Sequence, residues 1–180
     1  MKVFLDFDDF TFSPKQWALI FKLKQYFEKF KVNLFCIPQA SHNPIGADKN
    51  WGSFCLHGYK HEMNENVPLA KLNQWPFEKI YKAPFWQLTD KMYQRLINAG
   101  WKVMLNSENS QENKKGIYFN WNLKNEPDLT KESLIGHGHI QNVCGNGLQE
   151  SLVRIRLLPK DTEFRFLSEL DNQTKEYWHG

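Results

Sequence analysis

Two short stretches of the chain carry the side chains that bind cations and move protons. In HGYKH, His57 to His61, two imidazoles lie four residues apart. On a helical turn that spacing brings the β-carbons to about 5–6 Å. Both rings can then reach one cation, since zinc–nitrogen bonds are about 2.0–2.1 Å. A hard third ligand is available in LDFDDF, Leu5 to Phe10, where Asp6, Asp8 and Asp9 crowd the end of an apolar run. Three acids within four residues of a buried strand are costly unless something positive meets them, which favours a cation. One carboxylate would then bind the metal and its neighbour stay free as a base. The plainer reading of Asp8 and Asp9 is a loop-capping pair. His137 and His139, in LIGHGHI, fall on one side of an extended strand by its period of two. They are either satisfied core histidines or an acid and its orienter.

Elements that could position these groups follow from the patterning. Val3 to Phe7 reads as a buried strand. Ser13-Pro14-Lys15-Gln16 reads as a helix start, with Ser13 as N-cap, Pro14 at the first helical position and Gln16 at the capping-box position. The apolar spacing predicts that this helix runs to about Phe30. Val32 to Ile37 is a second strand, and about Ser53 to Leu56 a third, after a polar loop over Gln39 to Asn50. Lys79 to Lys82 forms a short fourth. Thr89 caps a helix through Asn98 that Gly100 closes, and Trp101 to Leu105 is the next strand. Asn106 to Lys115 is a polar, mobile loop. Ile117 to Leu123 and Leu134 to Ile140 are further strands, Gly147 to Leu157 a helix, and Glu163 to Leu167 a last strand. Alternation of strand and helix implies parallel order, with ligands at the carboxyl ends of the strands. Asp8 and Asp9, His57 and His61, Pro84-Phe85, and His137 or His139 all fall at or just past such ends.

Composition narrows the function classes. With 180 residues, 41% hydrophobic, the chain can bury a sizeable core, and residues 1–180 read as one domain. A net charge of +3 with no basic block gives nucleic-acid binding no electrostatic footprint. Cys36, Cys55 and Cys144 share no CxxC spacing, and Cys36 and Cys55 lie in apolar runs, as buried free thiols do. The N-terminus enters a strand directly, without signal-peptide features, and no apolar run has the length of a membrane span. A cytoplasmic protein with no membrane or nucleic-acid partner is expected.

Together the stretches resemble the polysaccharide deacetylase (NodB-homology) family, metal-dependent enzymes that remove acyl groups from amino sugars. The likeness extends over roughly Lys2 to Ile140. Its first motif is a strand ending Phe-Asp-Asp, here Phe7-Asp8-Asp9, which implies Asp8 as general base and Asp9 as metal ligand. The His pair implies His57 and His61 as the other ligands. A basic residue followed by proline and aromatics, here Lys82-Ala83-Pro84-Phe85-Trp86, implies that the Phe85 N–H helps hold an oxyanion. The last motif, an apolar strand ending in His, implies His137 as general acid, with His139 as the second choice. The implied fold is a distorted (β/α) barrel of mostly parallel strands. The implied cofactor is a divalent ion, zinc by ligand type, with cobalt, nickel or manganese as alternatives. The implied substrate is a carbohydrate or other small N-acylated compound, on which Trp86, and Tyr59 or Trp51, would stack.

The chain departs from the family in three places. Phe10 stands where the family has Gly, and Lys82 replaces an Arg, exchanging a planar fork for a point charge. The family's fourth motif, an acidic residue with a Trp that tunes the general acid, has no good match, although Trp121 lies nearby. An inactive carbohydrate- or metal-binding module of the same fold is therefore the alternative. A third reading takes Asp6-Phe7-Asp8 as resembling the DxD start of haloacid dehalogenase-like phosphatases, with Asp6 as nucleophile. Phe10 replaces the Thr expected there, and the histidines gain no role.

Overall fold

The computed structural model describes residues 1–41, 50–106, 114–143 and 145–170. Nine strands and four helices follow one another as β1 (Lys2–Phe10), α1 (Pro14–Lys24), β2 (Val32–Cys36), β3 (Gly52–His57), α2 (Leu69–Leu72), β4 (Ile80–Lys82), α3 (Asp90–Asn98), β5 (Lys102–Leu105), β6 (Ile117–Tyr118), β7 (Trp121–Asn122), β8 (Ser133–His139), α4 (Leu148–Ile155) and β9 (Glu163–Phe164). Every strand pairing is parallel. The order across the sheet is β6-β5-β4-β3-β2-β1-β8-β7, with β9 beside the start of β1.

That order determines the shape. β6 and β7 are the two ends of the sheet, yet only Phe119 and Asn120 separate them in sequence. Two residues span at most about 3.3–3.6 Å each, so the sheet curls until its edges approach. The distorted barrel expected from the sequence is the fold observed. The single strand expected over Ile117 to Leu123 is instead these two short ones, because closing the sheet requires the chain to leave one edge and join the other.

Side chains alternate between the two faces. Phe4, Phe35, Cys55, Ile80, Met104 and Ile135 form an inner cluster. Val3, Leu5 and Phe7 pack outward among residues of α1 and α4, while α3 covers Tyr81 and Val103 with Met92 and Leu96. Cys36 and Cys55 are buried free thiols, as expected. Cys144 lies outside the described residues, as do 42–49 of the polar loop and 107–113 of the loop read as mobile. Among the described residues no helix is long and apolar enough to cross a membrane.

α1 ends at Lys24, one and a half turns short of the expected Phe30. Beyond it Phe27 and Phe30 swing against Phe164, with ring centroids at 4.8 and 5.4 Å. Burying both rings there takes the chain off the helix axis. A polar pin holds the bottom of the barrel. The Asn33 amide, fully buried, donates to the Leu5 carbonyl at 2.9 Å and accepts the Leu167 N–H at 2.9 Å. Asn33→Leu removes both side-chain hydrogen bonds and leaves the buried Leu167 N–H without its partner, at about 1–3 kcal/mol. We expect a matching fall in urea-denaturation stability, and an unchanged midpoint would contradict the pin.

Candidate active site

The sequence places Asp8 and Asp9 side by side, and a regular strand would send them to opposite faces. A bulge prevents this. Phe7 is level with Leu34 and Phe10 with Cys36, so β1 takes three steps where β2 takes two. Asp9 absorbs the extra residue in the left-handed region, at φ 64°, which Asp tolerates better than most residues. Ser13 caps α1 as expected, accepting the Gln16 N–H at 3.3 Å. Gln16 does not complete a capping box, because its side chain clamps the bulge. Its Nε2 donates to the Asp9 carbonyl at 3.0 Å, and its Oε1 accepts the Thr11 N–H at 2.7 Å.

The histidine pair meets Asp9, but not through the helical turn the spacing suggests. His57 is the last residue of β3, and the chain then bends through Gly58 (φ 63°) and His61 (φ 67°). A Cβ at Gly58 would stand 2.6 Å from Pro84 Cγ, so only glycine serves there. The His57 Nδ1–H donates to the Lys82 carbonyl at 3.3 Å, leaving Nε2 as the free nitrogen. Burial lowers the His57 pKa despite Asp8 and Asp9 nearby, which favours the neutral, ligating form. His57 Nε2 and His61 Nε2 stand 3.5 and 3.2 Å from Asp9 Oδ1.

That oxygen is buried and accepts no hydrogen bond among the described residues, a costly state for a carboxylate. Four ligands around zinc at about 2.05 Å are separated by about 3.3 Å, close to both spacings. Asp9, His57 and His61 could hold one ion. Asp8, His137 and His139 also bring ligand atoms within 4.8 Å of one another. Charge argues against filling that second group. Asp6, Asp8 and Asp9 against the one ammonium of Lys82 leave a formal charge of −2, which a single divalent ion neutralises. The Lys82 ammonium already touches Asp8 at 2.7 Å.

Lys82 is the hub of the inner mouth. Its ammonium, fully buried, donates to Asp6 and to Asp8, and lies over the Phe35 ring at 4.1 Å and the Trp86 ring at 5.2 Å. Burial opposes its charge, but Asp6 and Asp8 outweigh burial and raise its pKa. Burial likewise works against the Asp8 carboxylate, but Lys82 first, then His57 and His137, hold it well below the usual range. Asp6 Oδ1 also accepts from His137 Nδ1 at 3.0 Å. Asp6 is fully buried and closed to a substrate, so the phosphatase reading that makes it a nucleophile fails. Its link to His137 was invisible in the sequence, since only the register Asp6↔His137 reveals it.

The remaining candidates separate. His139, level with Asp8, donates its Nδ1–H to Asn146 at 3.0 Å and stays partly exposed. Trp86 packs on His137 and Phe119 at 5.1 and 5.5 Å between centroids. Phe85 is 57% exposed, sits at φ 54° and lies against His61 at 5.0 Å. No hydrogen bond to its N–H is found among the described residues. The half-buried ring of Tyr59 turns toward the core beneath α3. Trp51 is not at the site, because it precedes β3 at the far end of the barrel and is buried against Trp17 and Phe21.

The sequence matches no protein-family model and no curated protein. Its fold does match solved structures. A family 4 acetyl xylan esterase from Clostridium thermocellum, in complex with a cobalt ion, aligns at TM-score 0.62 and 14% identity over 94% of this chain and 89% of its own. The peptidoglycan deacetylase PdaC from Bacillus subtilis aligns at 0.61 and 13% over 97% and 91%. The Bc1960 peptidoglycan N-acetylglucosamine deacetylase aligns at 0.58 and 13% over 97% and 89%. The chain thus has the curled parallel barrel of the carbohydrate esterases and deacetylases.

Removing one partner of a buried ion cluster costs about 3–5 kcal/mol. Lys82→Met should lose about that much in denaturant titrations, and adding Asp6→Asn should restore part of it. Equal stability of Lys82→Met and the unchanged protein would show that the cluster does not hold the mouth.

Proposed function

We propose that this protein is a metal-dependent hydrolase that removes an acyl group from the nitrogen of an amino sugar or a related carbohydrate. The observation that carries the reading is the unpartnered Asp9 oxygen between two imidazole nitrogens, with a second carboxylate, Asp8, held beside it by Lys82. The fold it shares with peptidoglycan deacetylases and acetyl xylan esterases supports it. Asp9, His57 and His61 would hold the ion. The donor set suits zinc and accommodates cobalt, nickel or manganese. When bound, such an ion supplies Lewis acidity and lowers the pKa of a coordinated water toward about 7.

The chain's own residues have defined tasks around it. Asp8, kept ionised by Lys82, takes a proton from the attacking water as its oxygen adds to the acyl carbon. The Phe85 N–H, which has no hydrogen-bond partner among the described residues, donates to the oxyanion; one such donor contributes about 3–4 kcal/mol. His137, held at Nδ1 by Asp6, gives its proton to the amine as the carbon–nitrogen bond breaks. His139 is the second choice for that role. Trp86 and the exposed Phe85 ring would line the sugar.

One observation favours an inactive binding module instead. Asp8 Oδ1 is already engaged by the Lys82 ammonium at 2.7 Å, which leaves this carboxylate less free to take a proton. Both readings are tested together by metal analysis and acetate release from chitooligosaccharides, peptidoglycan fragments and acetylated xylan. We expect about one bound divalent ion, lost in His61→Ala, and turnover that Asp8→Asn reduces at least 100-fold with the metal retained. His137→Ala should lower turnover more than His139→Ala, and the reverse order would reassign the acid. Saturable sugar binding without acetate release would establish the module. Turnover surviving Asp8→Asn would refute the assignment of the base.

A further inference from the structure

The two histidines of the candidate metal centre are supported differently. The His57 ring is held by the Lys82 carbonyl. The His61 ring has no such partner: among the described residues its one polar contact is Asp9, and its neighbours are the rings of His57 and Phe85. The His61 side chain is about a third exposed. Whatever aims this imidazole must act through its backbone, and that backbone is left-handed in a segment outside any helix or strand.

Glu65 supplies the missing constraint. Its carboxylate is buried and turned back into the loop. Oε2 accepts the Tyr59 N–H at 2.6 Å, while Oε1 accepts the Lys60 N–H at 2.9 Å and the Glu62 N–H at 2.7 Å. His61 lies between the last two donors, so the N–H groups of both its neighbouring residues converge on one oxygen. A loop with left-handed turns at Gly58, His61 and Asn64 has no ladder to satisfy these donors, and one side chain satisfies three. Contact with Gly58 completes the lock, since a Cβ there would meet Glu65 Oε1 at 2.9 Å as well as Pro84.

We infer that Glu65 is the positioning residue that preforms the ligand loop and aims His61 at the Asp9 oxygen, so that metal affinity depends on a carboxylate that never touches the metal. The inference rests on the metal-binding reading above. Partners that orient metal ligands from behind change affinity by about 10–100-fold when removed.

The test is calorimetric titration of the metal-free protein with Zn2+, repeated with Co2+ while its visible absorption is followed. Glu65→Ala and Glu65→Gln are compared with the unchanged chain. Ile155→Ala, which opens the core packed under α4 and away from the ligand loop, serves as a control for stability alone. We expect about one equivalent bound by the unchanged protein, affinity about 10–100-fold weaker in Glu65→Ala, a smaller loss in Glu65→Gln, and an altered cobalt spectrum in both. Ile155→Ala should melt earlier yet bind metal as tightly as the unchanged protein. If Glu65→Ala does not fold, Glu65→Gln decides. Zinc bound within twofold of normal by the Glu65 variants would overturn the inference and leave the metal site standing. No binding by the unchanged protein would overturn both.

Discussion

The structure turns on one buried ammonium. Lys82 enters the barrel from the third residue of β4 and meets carboxylates from β1, with two aromatic rings packed over it. An unpaired lysine at this depth would lose its charge, and two unpaired carboxylates would take up protons. Paired as one buried cluster, they tie three groups from two non-adjacent strands to one point. β2 and β3 lie between β1 and β4, so the contact spans the barrel and does not merely join neighbours. It also sets the charge at the mouth, where the formal excess of two negative charges is left facing the His57–His61 loop.

Around that hub, non-glycine residues with left-handed backbones gather at the rim. Asp9, His61, Phe85 and Trp86 all have positive φ, and each presents a group to the same mouth or covers it. Such conformations cost of order 1–3 kcal/mol each and persist only where packing and hydrogen bonds over-determine them. Three neighbouring side chains do so. Gln16 clamps Asp9, Glu65 clamps the segment of His61, and Pro84 abuts Gly58 beside the turn that carries Phe85. Strain at the rim and rigid support behind it are what a site needs if its ligands are to stand ready before the ion arrives.

Much of this was legible in the sequence. Parallel order, the barrel, the Ser13 and Thr89 caps and the convergence of Asp9 with His57 and His61 all followed from patterning, from motif spacing, or from the family likeness drawn from those motifs. The rest depended on features without a local signal. HxxxH suggests a helical turn, yet left-handed Gly58 and His61 bring the rings together from a loop. The bulge at Asp9 has no composition cue, because Asp-Asp reads equally as alternating strand or capping pair. Trp51 looked available for sugar stacking because nothing in its neighbours shows that it lies just before β3, buried at the end of the barrel away from the site. Glu65 drew no notice, since a lone acid in a polar loop is ordinarily solvated.

Two of the departures from the pattern the sequence resembles, Lys82 and the unmatched acidic motif, make sense as one change. An ammonium offers three donors from one point, whereas a guanidinium spreads five across a plane that a fully buried space between the Phe35 and Trp86 rings would have to admit. With Lys82 the charge sits close enough to serve two carboxylates at once, and the second of these, Asp6, lies two residues before Asp8 on the same strand. Asp6 Oδ1 then reaches the His137 Nδ1 across the β1–β8 ladder. The acidic partner for the histidine that the family likeness led one to seek in a separate segment is already present on β1. A single nine-residue strand therefore carries the groups proposed as metal ligand and base together with the residue that holds His137, and the lysine opposite is what allows all of those charges to share one small space.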